Sequence, residues 1–274
     1  MALYINTNVA SEGAQKNLLA NQAKLMTSFT RLSSGLRINT AKDDAAGLAI
    51  SESLKSQIRS FNVAERNASD GISMAQTAEG ALGEVHNILG RMRELAVQAS
   101  NGNLLAADRD FLETEFSSLQ DEITRIQGSA KFNGTALVGT TANTITLQVG
   151  LDATTTDQID VVLGGITFGD VNAATLAGAT AGDALDALGT IDAAIGNVST
   201  SRATFGAAMN RLEVAQSSIQ TMRLNLSAAN SRIRDVDVAS ETANLSRNQV
   251  LTQAGISVLA QANQLPQLAF GLLG

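Results

Sequence analysis

Ala184, Ile191, Val198, Phe205, Leu212, Ile219, Leu226 and Ile233 follow one another at intervals of seven without exception. Such a repeat lines its members along one stripe of a helix and requires other helices to cover them. From Ile219 onward Met222, Ala229 and Val236 add the alternating 4-3 spacing of a coiled coil. The stripe is answered earlier in the chain by Leu54, Phe61, Ala68, Ala75, Leu82, Leu89 and Ala96, also seven apart, with Ala78, Val85, Met92 and Ala99 beside them. A helix over about 45–100 is roughly 80 Å long at 1.5 Å per residue. Two such helices predict a rod.

Shorter periodic segments flank these. Leu18, Leu25 and Leu32 are seven apart near the start, with Phe29 and Leu36 between registers. Leu105, Leu112, Leu119 and Ile126 form a third stripe after "SNGN", a helix stop. Leu251, Val258, Leu265 and Leu272 carry the pattern to the end, with Pro266 in the last turns. Between 131 and 170 the period shortens to two. Ile145, Leu147 and Val149 alternate with polar neighbours, as do Ile159, Val161 and Leu163, and "ITF" (166–168) follows Gly164-Gly165. Small β-hairpins are expected there, followed by a flexible return through "TLAGATAGDA". The fold class is therefore mainly α: a long antiparallel helical coiled-coil rod with a small β-hairpin region, plus a terminal-helix pair.

The two end segments have no long neighbour in sequence to cover them, so they most simply cover each other. A helix pair has little interior. Burying one Leu contributes roughly 1.5–3 kcal/mol, while ordering each residue costs about 1–2 kcal/mol of backbone entropy. The ends are thus expected to be disordered alone and to fold when further copies pack around them, which predicts a polymer.

The chain offers little chemistry. With no Cys it has neither disulfides nor thiolate metal sites, and His86 is its single histidine. His86 reads as a helix-surface residue, since Glu84 is on another face. Gly80, Gly83 and Gly90 match no phosphate-binding fingerprint and read as close helix–helix approaches. A net charge of −7 argues against a general nucleic-acid binder. The N-terminus has no signal-peptide pattern, and no apolar run is long enough to span a bilayer. No cofactor or metal is expected, and no catalytic set is present. The best carboxylate pairs are Asp43-Asp44 and Asp235/Asp237. They sit at register breaks, where Asp caps helices and pairs with Arg. If the halves run antiparallel, Asp43 and Asp44 should cap the long helix, with Arg232 or Arg234 within reach. This would be an inter-domain joint rather than an active site.

"RLSSGLRINTAKDDAAGLAISE", "RNASDGISMAQTAEGAL", "RMRELAVQASNG", "KFNG", "NRLE", "NLSAANSRIRDVDVASE" and "LTQAGISVLAQANQLPQ", in this order, resemble the terminal signature regions of bacterial flagellin. The match covers roughly residues 1–135 and 183–274. The resemblance implies a self-assembling flagellar filament subunit for swimming motility, exported unfolded and uncleaved through the flagellar type III apparatus. It also implies an inner domain from 1–42 and 235–274 and a rod domain from 43–182 and 183–234, with little or no outer domain. Assembly would rest on Leu18, Leu25, Leu32, Leu251, Val258, Leu265 and Leu272. The implied partners are further copies, an export chaperone, and the filament cap and hook-filament junction proteins. The implied location is the flagellum, external rather than periplasmic. Arg91, Leu95 and Glu115 match family residues that contact the flagellin-sensing Toll-like receptor. The family's usual Gln before that Arg is Gly90 here, so weakened recognition is expected. Two other readings fit less well. A hook-filament junction protein would match these motifs less closely, and a secreted enzyme on a helical scaffold would need a nucleophile–base set that is missing. The family's metallopeptidase-like variants need two closely spaced His.

Overall fold

The computed structural model describes residues 7–177 and 181–271, the side chains of 265–271 excepted. Among the described residues the helices are α1 (Val9–Ser34), α2 (Ala45–Ala99), α3 (Ala106–Ser129), α4 (Gly169–Ala173), α5 (Gly182–Arg234) and α6 (Val238–Gly271). The strands are β1 (Lys131–Phe132), β2 (Thr135–Ala136), β3 (Asn143–Gln148) and β4 (Gln158–Leu163). The chain forms two compact units, 1–56 with 225–274, and 57–224. The expected mainly helical class, with small antiparallel hairpins and a terminal pair, is the one observed.

In the unit spanning 57–224, α2 and α5 run antiparallel. Arg93 meets Asp192, Arg202 meets Glu79, Gln216 meets Ser69 and Gln220 meets Glu65. Their stripes are the core: Leu82, Val85, Leu89, Met92 and Ala96 on α2, and Ile191, Val198, Phe205 and Leu212 on α5, are buried. Phe116 and Ile123 bring α3 into the same core. The register read from the heptads therefore places the apolar residues inward. Met222 departs from it and is half exposed.

Arg109 holds the turn between α2 and α3. It is buried, and its Nε donates to the Ala99 carbonyl at 3.0 Å while a terminal nitrogen donates to the Asn101 carbonyl at 3.3 Å. A guanidinium at a helix C-terminus satisfies carbonyls left without partners and opposes the negative end of the helix dipole.

β3 and β4 pair antiparallel from Asn143–Leu163 to Gln148–Gln158, and Asn67 on α2 donates to the Gln148 carbonyl at 3.0 Å. Here the hairpin lies against the helix. A Cβ on Gly71 would stand 2.3 Å from Leu147 Cδ1 and 3.2 Å from Leu212 Cδ1. Gly71 thus permits this close approach. Gly80, Gly83 and Gly90 do not: a Cβ on any of them would meet nothing within 4 Å. Asn133-Gly134, with φ of 47° and 82°, makes the two-residue turn between β1 and β2. The segment "ITF" is not a strand. Ile166 and Phe168 are buried as core anchors, and the short α4 follows them.

Candidate functional site

In the unit built from the chain ends, α1 and α6 pair antiparallel. At one end Asn8 Nδ2 donates to the Ala262 carbonyl at 2.8 Å, and Ser11 Oγ bonds Asn263 Oδ1 at 2.6 Å. At the other, Arg31 approaches Glu241 at 3.8 Å. Asn8 also caps α1, its Oδ1 accepting from the Ser11 N–H.

Shielded positions on α1 include Ser11, Ala14, Leu18, Asn21, Leu25, Ser28 and Leu32, spaced three and four apart. Leu18, Leu25 and Leu32 thus lie on the seam, as their spacing indicates. On α6 the shielded positions include Glu241, Leu245, Asn248, Thr252, Gly255, Leu259 and Ala262, again three and four apart. This corrects the stripe read from sequence. Leu251 is 44% and Val258 52% exposed, so both lie off the seam. Two apolar registers coexist on α6, and α1 takes the one rich in small and polar residues because Gly255 lets Leu18 approach. Leu265 belongs to α6 without a described side chain, and Leu272 lies outside the described residues.

The outward sides of the pair remain apolar. Val9, Leu19, Met26 and Phe29 on α1 are more than half exposed, as are Val250, Ile256 and Val258 on α6. Leu19, Met26 and Phe29 share one helix face by their spacing of seven and three. Such uncovered apolar surface marks a site of protein association.

The residues expected to form a joint lie in the same unit. The two connecting segments form a short antiparallel bridge, Leu36 with Asp235. The Arg37 N–H donates to the Arg234 carbonyl at 2.6 Å and the Val236 N–H to the Gly35 carbonyl at 3.0 Å. The two register breaks therefore lie side by side, but the side chains there pair differently from the expectation. Asp44 caps α2, its Oδ1 accepting from the Gly47 N–H at 2.8 Å. Asp43 does not. Its carboxylate closes the preceding loop, accepting from the Thr40 N–H at 2.9 Å, the Thr40 hydroxyl at 3.0 Å and the Asn39 N–H at 3.2 Å. These bonds, the Thr40 N–H foremost, hold its carboxyl below the usual carboxylate range.

Neither Arg232 nor Arg234 reaches these carboxylates. Arg234 is held by Glu52 and Ser51, in the second turn of α2, and Arg232 is exposed. The cation nearest Asp43 is Arg31, at 4.0 Å, which also faces the buried Glu241. Asp235 accepts from the Ser231 hydroxyl, and Asp237 caps α6 through the Ala239 and Ser240 N–H groups. Sequence reasoning missed Arg31, Arg37 and Glu241. Arg31 and Glu241 each occupy the helix turn beside a register break, the signal that could have found them.

In the 57–224 unit, Arg91 Nε lies 2.8 Å from Glu115 and a terminal nitrogen 2.9 Å from Glu94. Both bonds, that to Glu115 first, raise the Arg91 pKa above its ordinary value. Arg91 and Glu115 are exposed; Leu95, only 1% exposed, is not. Leu95 adjoins Met92 and Ala96 in the core stripe, so it offers no surface to a partner. Of the three expected receptor contacts the fold thus joins two and buries one. His86 is half-buried on α2, its Nδ1 without a hydrogen-bond partner. Among the described residues no cluster of His, Asp and Glu could hold a metal, and no helix is long and apolar enough to cross a membrane.

Two family profiles match this chain: the bacterial flagellin N-terminal helical region over residues 5–142 and the bacterial flagellin C-terminal helical region over residues 188–273. A flagellin of Halalkalibacterium halodurans is 44% identical over 273 residues, covering 99% of this chain and 100% of the relative. A flagellar filament 33 kDa core protein of Treponema phagedenis is 40% identical over 290 residues, covering 99% and 100%. Among solved structures, a putative flagellar hook-associated protein from Vibrio parahaemolyticus shares the fold, with a TM-score of 0.61 at 16% identity over 70% of this chain and 100% of that one. On its motifs, its paired ends and these full-length matches, the chain belongs to the bacterial flagellin family.

Proposed function

We propose that this chain is exported unfolded through the flagellar type III apparatus and joins an external filament through the apolar outer faces of its terminal helix pair. Its family makes it a structural subunit that polymerises into the flagellar filament. The reading of how it assembles rests on one observation: the α1–α6 pair closes its own seam with five leucines among polar and small residues and leaves Leu19, Met26, Phe29, Val250, Ile256 and Val258 outward. In this reading the chain-end unit is the inner domain and the 57–224 unit the rod. An export chaperone would hold the same C-terminal face before assembly, and cap and junction proteins would meet it at the filament ends. Deleting residues 265–274 tests the proposal. The truncated protein should keep the helical signal of the rod and form no fibres by electron microscopy, whereas normal fibres would overturn it.

A second reading, recognition by the flagellin-sensing Toll-like receptor, is favoured by the exposed Arg91–Glu115 pair. A receptor reporter assay in which Arg91→Ala signals as strongly as the parent would remove it.

A further inference from the structure

We propose that Asn101 is a self-modification site, at which the protein loses ammonia spontaneously and acquires an aspartate or isoaspartate between α2 and α3. The chain has two Asn-Gly pairs, Asn101-Gly102 and Asn133-Gly134. In both, the absence of a side chain on glycine leaves its amide nitrogen open to attack the asparagine Cγ. The fold treats them differently.

Asn101 and Gly102 are exposed in the connection between the helices. Asn101 Oδ1 accepts from the Asn103 N–H at 3.4 Å, which draws electrons from Cγ. The carbonyl of the peptide that contains the Gly102 nitrogen accepts from Arg109 at 3.3 Å. When this peptide N–H ionises, the negative charge is shared with that carbonyl oxygen, so a guanidinium on it favours the nucleophilic form. Arg109, already the cap of α2, thus also activates the Gly102 nitrogen.

The bonds balance without any oxidant or cofactor. The Gly102 nitrogen gives up its proton and bonds to Asn101 Cγ; the Cγ–Nδ2 bond breaks and ammonia leaves with that proton. Water then opens the five-membered ring at either carbonyl. One opening leaves an ordinary aspartate in place of the asparagine, the other an isoaspartate with an extra methylene in the backbone. Either product places a negative charge at the C-terminal end of α2, where the helix dipole opposes it.

Asn101 is tied by single turn bonds, to the Gln98 carbonyl and from the Leu104 N–H, whereas Asn133 is held inside a hairpin. It sits at φ 47° inside a two-residue turn, clamped by the pairs Phe132–Thr135 and Lys131–Ala136. Ring closure must swing its backbone out of that turn and break the hairpin.

The test is to incubate the full chain, folded and in urea, at mildly alkaline pH in water labelled with heavy oxygen, and to map the peptides by mass spectrometry. In the folded protein Asn101 should take up label several-fold faster than Asn133. In urea the two rates should converge. Equal folded rates, or a faster Asn133, would overturn the proposal. Arg109→Lys, which keeps charge but loses the fork, and Arg109→Gln should each slow the folded Asn101 reaction and leave the rate in urea unchanged. An unchanged or faster folded rate in Arg109→Gln would refute the role given to the guanidinium. Asn101→Gln should remove the signal.

Discussion

Leu18 and Gly255 meet across the terminal helix pair: a Cβ on Gly255 would stand 3.3 Å from Leu18 Cδ1. That distance is tight, so a methyl at position 255 needs a slight shift of Leu18 and a larger side chain does not fit the seam. Gly255→Ala should be tolerated with a small shift of Leu18. Gly255→Leu should force α1 from α6 and abolish fibre formation while the 57–224 unit stays helical. Circular dichroism and electron microscopy on both variants check this, and normal fibres from Gly255→Leu would contradict the seam.

The caps at the joint have separate effects. Asp44→Ala removes the acceptor for the Gly47 N–H and should lower stability by about 1 kcal/mol in urea titration, as for other N-caps. Asp44→Ser should restore most of it.

Loss of core volume is a larger effect. Leu82 is fully buried in the α2 stripe. Leu82→Ala should cost about 2–5 kcal/mol, whereas Val97→Ala, half exposed on the same helix, should fall within about 0.5 kcal/mol of the parent.

Acid should loosen three carboxylate contacts together. Hydrogen bonds from Thr40, Arg93 and Arg125 respectively hold the Asp43, Asp192 and Glu122 carboxyls below their ordinary values. A lowered folded pKa stabilises the fold above the unfolded value, near pH 4, and that contribution vanishes as pH falls through the lowered one. Melting temperature should therefore drop below about pH 4. The triple variant Asp43→Asn, Asp192→Asn, Glu122→Gln should show a shallower drop, and an identical pH profile would refute the assignment.

The rod was legible because its signal is redundant. A stripe such as Ile191, Val198, Phe205 and Leu212 repeats one physical demand, and every member is buried. Single-residue contacts were less legible. Leu95 adjoins the stripe in sequence, and only the packing of three helices decides that it is inside. Arg234 had two acidic neighbourhoods within reach, and its pairing with Glu52 rather than Asp43 depends on how the two connections are zipped. On α6 two apolar registers compete, and spacing alone favours the longer side chains. The seam instead took the narrower one, because a partner helix lies closest where side chains are smallest.

Asn8 bonds Ala262 across 254 positions of the chain, and the Leu36–Asp235 bridge closes a second long loop inside it. Contacts this distant in sequence pay their closure entropy before they gain anything. The unit they build cannot close until the segment around Ala262 is free to return to that around Asn8. Whatever detains the tail, a tunnel or a bound protein, therefore keeps the head open as well, and one restraint holds both adhesive ends in reserve.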